Sequence, residues 1–141
     1  MYLELVPDVD LGDDHYLVFT RWAPDDLPAN REWLGIPDGP LPVVEKWGAN
    51  VRHYRPDGVL CEGVIEFDGE WQRRVHQINV DSARRQGRPE PRYVAWTVEC
   101  WEPLTCSPSL LCKAPVVDAS GKTVGSCGDH GFIRQGKWVR A

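Results

Sequence analysis

The residues whose types and spacing could do chemistry lie toward the C-terminus. Cys127-Gly128-Asp129-His130 is a Cys-x-x-His knuckle, Cys112 stands upstream of it, and Cys61, Cys100 and Cys106 complete the five cysteines. Thiolate and imidazole are the ligands Zn²⁺ prefers, and they usually come in close pairs because a short turn aims two side chains at one point. Gly128, inside the knuckle, supplies the backbone freedom such a turn needs. The pattern predicts a structural Zn²⁺ bound by Cys112, Cys127 and His130. Residues 113–126 read as a hairpin excursion that returns the chain to Cys112. A fourth ligand must come from elsewhere, and the candidates are Cys61, Cys106, Cys100 and His53. The competing reading is plain burial, since free cysteine is among the most buried residue types and one Cys-x-x-His is less specific than two close pairs.

The elements that must position these residues are mostly short. Twelve Pro and thirteen Gly in 141 residues imply many turns and favour strands over long helices. Alternation predicts strands over 15–22 and 59–67, the second placing Val59, Cys61, Ile65 and Phe67 on one face. Shorter strands are expected over 43–47 and 51–54, with a turn at Arg55-Pro56-Asp57-Gly58. Prolines 24, 28, 37, 40 and 42 make 23–42 a loop, with one helical turn at 29–34. Asp68 can cap a helix over about 69–86, whose Trp71, Val75 and Ile78 recur at helical spacing. The strongest strand is 93–101, with Val94, Trp96, Val98 and Cys100 on one face, which reads Cys100 as a small core residue. Short strands at 108–112 and 115–117, a turn over 119–122 and a C-terminal hairpin turning at Gln135-Gly136 complete the chain. The expected core is Leu17, Phe19, Val59, Ile65, Phe67, Trp71, Val75, Ile78, Val94, Trp96, Val98, Leu110 and Ile133.

These elements add up to one β-rich α+β domain over 1–141: a mostly antiparallel sheet, one helix and a C-terminal hairpin. Residues 1–45 form an acidic, loop-rich N-terminal part, and 93–141 carry the motifs. The apolar fraction of 42% and charged fraction of 26% are those of a globular chain rather than a disordered one. Met1 to Asp8 carry no basic region and no apolar run, so no signal peptide is read there. No stretch approaches the roughly 18 apolar residues of a membrane span. The expected location is therefore the cytoplasm, and five cysteines in a reducing compartment argue for metal ligation or burial over disulfides.

The sequence from Trp96-Thr97-Val98-Glu99 through Pro103-Leu104-Thr105, Ser107-Pro108-Ser109-Leu110 and Cys127-Gly128-Asp129-His130-Gly131-Phe132-Ile133-Arg134-Gln135-Gly136-Lys137-Trp138 resembles a group of small proteins of actinobacterial phages. More distantly it resembles a bacterial domain of unknown function. The likeness covers mainly residues 93–141, with a weaker echo at Cys61-Glu62-Gly63. It implies a zinc site of Cys61, Cys112, Cys127 and His130. Where relatives usually have leucine this chain has Cys106, which makes Cys106 a core substitution. The 113–126 segment departs from the pattern in length. The family carries no established activity, and its setting implies a bacterial host cell or a virion.

No catalytic constellation is recognisable. His-Glu-x-x-His, the deaminase pattern and Gly-rich phosphate loops are all missing, and a full Cys₃His shell leaves no position for substrate. The expected role is a zinc-stabilised protein that binds another protein in host interaction or regulation. The alternative is a structural or assembly component of a phage particle, and no small-molecule substrate or membrane is expected. Residues 71–93 hold six arginines against two acids, so Arg73, Arg74, Arg84, Arg85 and Arg88 are candidates for contacting a partner, nucleic acid included. The net charge of −5, with ten acids against two bases over 1–45, disfavours nucleic acid as the partner of the whole chain.

Overall fold

A computed structural model describes residues 6–23, 32, 34, 35 and 42–141. Ten strands and one long helix, α1 (Glu70–Arg85), make it a β-rich α+β fold among the described residues. The loop expected over 23–42, with its helical turn at 29–34, falls largely outside them. One four-stranded antiparallel sheet joins β1 (Val9–Gly12), β2 (His15–Trp22), β3 (Val44–Tyr54) and β4 (Leu60–Glu66) in chain order. The second, also antiparallel, runs β10 (Lys137–Arg140), β9 (His130–Arg134), β6 (Leu104–Leu111), β5 (Thr97–Trp101). A separate hairpin, β7 (Pro115–Val117) and β8 (Thr123–Ser126), leaves the second sheet between β6 and β9.

The two sheets enclose one core. Leu11, Leu17, Ala49, Val51, Ile65 and Phe67 from the first meet Leu104, Cys106, Leu110, Ile133 and Trp138 from the second. Leu17 and Ile133 are fully buried, which is worth about 1.5–3 kcal/mol for each side chain relative to exposure. A parallel bridge between Phe67 and Trp96 links the sheets at one edge, and β1 lies beside β10 at the other.

Strand register explains the inner face of the first sheet. Phe19, Ala49 and Ile65 form one cross-strand row, and Leu17, Val51 and Gly63 the next. His15, His53 and Cys61 form the third. Alternation thus carries polar ligating groups into line with the apolar core.

Several expectations change. The two short strands around 43–54 are one strand, because Gly48 lets β4 pack against its backbone: a Cβ there would lie 2.3 Å from the Ile65 carbonyl oxygen. The strand expected from 93 begins only at Thr97. Trp96 bonds instead to the backbone of Glu66 and Asp68, leaving Val94 58% exposed. A register shift between Val98 and Cys100 then turns Cys100 outward, so it is exposed rather than core. Val59 lies outside the paired strand and is 46% exposed.

The helix appears where expected but with its buried face rotated. Gln72, Val80 and Ala83 are buried, while Trp71, Val75 and Ile78 are half-buried. The Gln72 side-chain amide donates to the Trp47 carbonyl at 3.2 Å, and that bond accounts for a buried polar group on this face. Asp68 does not cap the helix; Gly69 takes the N-cap position, and Asp68 pairs with Tyr93 and Arg73. No helix among the described residues is long and apolar enough to cross a membrane.

Candidate metal centre

Two hairpins build the site. In the first, β3 and β4 place His53 and Cys61 directly opposite each other. In the second, Cys112 and Cys127 flank the β7–β8 excursion and close its base. The Cys127 amide donates to the Ala114 carbonyl at 2.8 Å and the Gly128 amide to the Cys112 carbonyl at 2.9 Å. The Cys112 amide donates to the Asp129 carbonyl at 2.8 Å. Gly128 adopts φ +74°, the left-handed conformation that turns the chain between Cys127 and Asp129.

The ligating atoms of His53, Cys61, Cys112 and Cys127 all lie within 4.8 Å of one another, and His53 and Cys61 are buried. His53 Nε2 is 3.8 Å from Cys127 Sγ. Tetrahedral Zn²⁺ with Zn–S near 2.3 Å and Zn–N near 2.0–2.1 Å has ligand–ligand edges of about 3.5–3.8 Å. Three sulfurs and one imidazole nitrogen at this spacing can hold a metal ion.

Electrostatics point the same way. Burial pushes the Cys61 thiol up to about 12, reinforced by the neighbouring Cys112 and Cys127 sulfurs. Cys112 is also raised, first by burial. Burial lowers His53, and the charges of His15 and Arg55 add to this against the opposing pull of Asp129. Its imidazole is thereby held in the neutral form that ligates metal. Thiols crowded together resist ionisation, and a divalent cation reverses that preference by supplying the missing positive charge.

The structure brings together Cys61, Cys112 and Cys127 from the expected set, with His53 as the fourth donor. His130 does not join them. It begins β9, its side chain is exposed, and its Nε2 lies 2.7 Å from Ser109 Oγ. Asp129, the residue before β9, has its carboxylate at His15 and His53, while His130 bonds to Ser109. Cys106 lies in the core opposite Ile133 and Val98, where burial raises its thiol to about 11. Cys100 is exposed, away from the cluster.

The sequence reading gave Asp129 and His15 no place at the metal site. Asp129 Oδ2 lies 2.5 Å from His15 Nε2 and 3.9 Å from His53 Nδ1. His15 stacks on His53, with ring centroids 4.9 Å apart, and on Trp138 at 4.1 Å. The available signal was alternation: His15 is in phase with Leu17, and His53 with Val51 and Ala49.

Of the candidate partner-contacting arginines, Arg73 pairs with Asp68 and Arg84 with Glu90. Arg74 lies over the Trp71 ring, and Arg88 donates to Gln86. Arg85 is exposed in the last turn of the helix. Comparisons of the chain with protein-family models, with curated proteins and with solved structures find no match.

Proposed function

We propose that His53, Cys61, Cys112 and Cys127 bind one structural Zn²⁺, and that the chain is a zinc-stapled domain that acts by binding another protein. The convergence of three thiols and one imidazole from two separate hairpins carries this reading. Sulfur-rich tetrahedral sets favour zinc over magnesium or calcium, which take oxygen. Four protein donors leave no open position for substrate, so the ion holds the hairpins together rather than running a reaction. Elemental analysis of protein purified without added metal should give one zinc per chain; a metal-free protein of unchanged stability would refute the staple.

A protein partner is supported by the apolar surface beside the centre. Val64 is 68% and Leu111 51% exposed, and both line a cleft that Cys112 also borders. Exposed apolar side chains grouped around a rigid site are characteristic of contact surfaces. The likeness of the C-terminal sequence to small phage proteins favours a bacterial host protein as that partner. The local pairing of Arg73, Arg74 and Arg84 weighs against nucleic acid. A photo-crosslinking residue at Val64 or Leu111, introduced in the native cell, should trap one protein, and Val64→Arg should abolish the capture. Absence of any adduct at both positions would refute the binding role.

A further inference from the structure

We propose that Asp129 and His15 form an outer shell that positions His53 to ligate the metal through Nε2; this rests on the metal reading above. The geometry runs in one line. His15 Nδ1 lies 2.5 Å from the Asp13 carbonyl oxygen, and His15 Nε2 lies 2.5 Å from Asp129 Oδ2. A carbonyl can only accept, so Nδ1 of His15 carries a hydrogen. The short contact from His15 Nε2 fixes the position of the Asp129 carboxylate. The same Oδ2 faces His53 Nδ1 at 3.9 Å, while His53 Nε2 faces Cys127 Sγ at 3.8 Å. A shift of about 1 Å brings His53 Nδ1 to a normal N–H···O distance. With Nδ1–H directed at the carboxylate, the Nε2 lone pair is left for the metal.

The ring plane is held as well as the tautomer. His53, His15 and Trp138 stack nearly parallel, with interplanar angles of 8° and 11°. His15 is 2% exposed and therefore cannot swing into solvent. Asp129 is not itself a ligand in this arrangement: three thiols and His53 supply the four donors, and its near oxygen faces His15 and His53. The knuckle thus supplies a ligand through Cys127 and, two residues on, the partner of a ligand from the other hairpin.

Cobalt(II) titration tests this, with affinity measured by chelator competition and geometry by the visible absorption bands. Wild-type protein should bind one Co²⁺ with the bands of a tetrahedral thiolate site. Asp129→Asn and His15→Gln should keep those bands and bind roughly 10–100-fold more weakly. Affinities within twofold of wild type in both variants would overturn the outer shell and leave the metal site standing. Failure of the wild type to bind Co²⁺ or Zn²⁺ would overturn both. A second measurement needs no variant: in zinc-loaded wild-type protein, ¹⁵N NMR should find His53 metal-bound at Nε2 and protonated at Nδ1. Coordination through Nδ1 would overturn the proposal.

Discussion

His53 and Cys61 face each other across β3 and β4, one row beyond Val51 and Gly63, so the candidate metal site prolongs the hydrophobic face of the sheet. Loss of either ligand should therefore be felt in the core. His53→Ala and Cys61→Ala should each abolish stoichiometric metal binding and lower the melting temperature about as much as chelation does. With free metal a thousandfold above Kd, that loss is about 4 kcal/mol, or on the order of 10–15 °C for a domain of this size. Differential scanning calorimetry with and without chelator measures it, and matching melts for chelated and loaded wild type would contradict the prediction.

His130→Ala separates the two possible ligand sets. The His130 side chain is exposed and bonds to Ser109 Oγ, so its removal should keep one metal per chain. The cost should be about 1 kcal/mol or less, that of one solvent-accessible hydrogen bond. Loss of the metal in this variant, with retention in His53→Ala, would reverse the assignment.

Gly131→Ala should strain the site from behind. A Cβ at this position would sit 2.5 Å and 2.6 Å from two atoms of the Trp138 ring and 2.7 Å from the Val139 carbonyl oxygen. Trp138 is buried and stacked on His15, so the ring has little room to retreat. The substitution should destabilise the fold by about 1–3 kcal/mol, as overpacking of a filled core does. Thermal melts of the metal-free protein isolate this cost from any loss of metal, and an unchanged melt would refute the clash.

Tyr93 carries a pH signature away from the Cys/His cluster. Partial burial, and then its bond to the Asp68 carboxylate, raise its phenol from the usual 10 to about 12. A raised folded-state value means stability that is present below pH 10 and is lost as pH climbs through about 12. Tyr93→Phe should remove a phenolate absorbance step centred near pH 12. The melting difference between wild type and variant should shrink over the same range. Disappearance of a step near pH 10 instead would show that the phenol is unperturbed.

Much of the architecture was legible in local pattern. The α1 segment, the β9–β10 turn at Gln135-Gly136 and the β7–β8 hairpin all follow from periodicity and turn residues; Gln135 and Gly136 both take the positive φ that a two-residue turn demands. The cysteines of the candidate metal site were legible by type. What was not legible depended on pairing between distant segments. The choice of His53 over His130 rests on β3–β4 register and on which way residues 129 and 130 face once β9 is paired. The exposure of Cys100 rests on a bulge with no local signature, and the helix phase on a hydrogen bond from Gln72 to a strand 25 residues away.

The β7–β8 finger is cinched at its root by Cys112 and Cys127, and all of residues 117–126 are exposed. Its tip is organised locally, with Asp118 Oδ1 accepting from the amides of Ser120 and Lys122. Lengthening, shortening or replacing that tip changes nothing that the core or the ligands touch. The finger is thus a natural attachment point, where foreign sequence could be displayed on a clamp that anchors both of its ends.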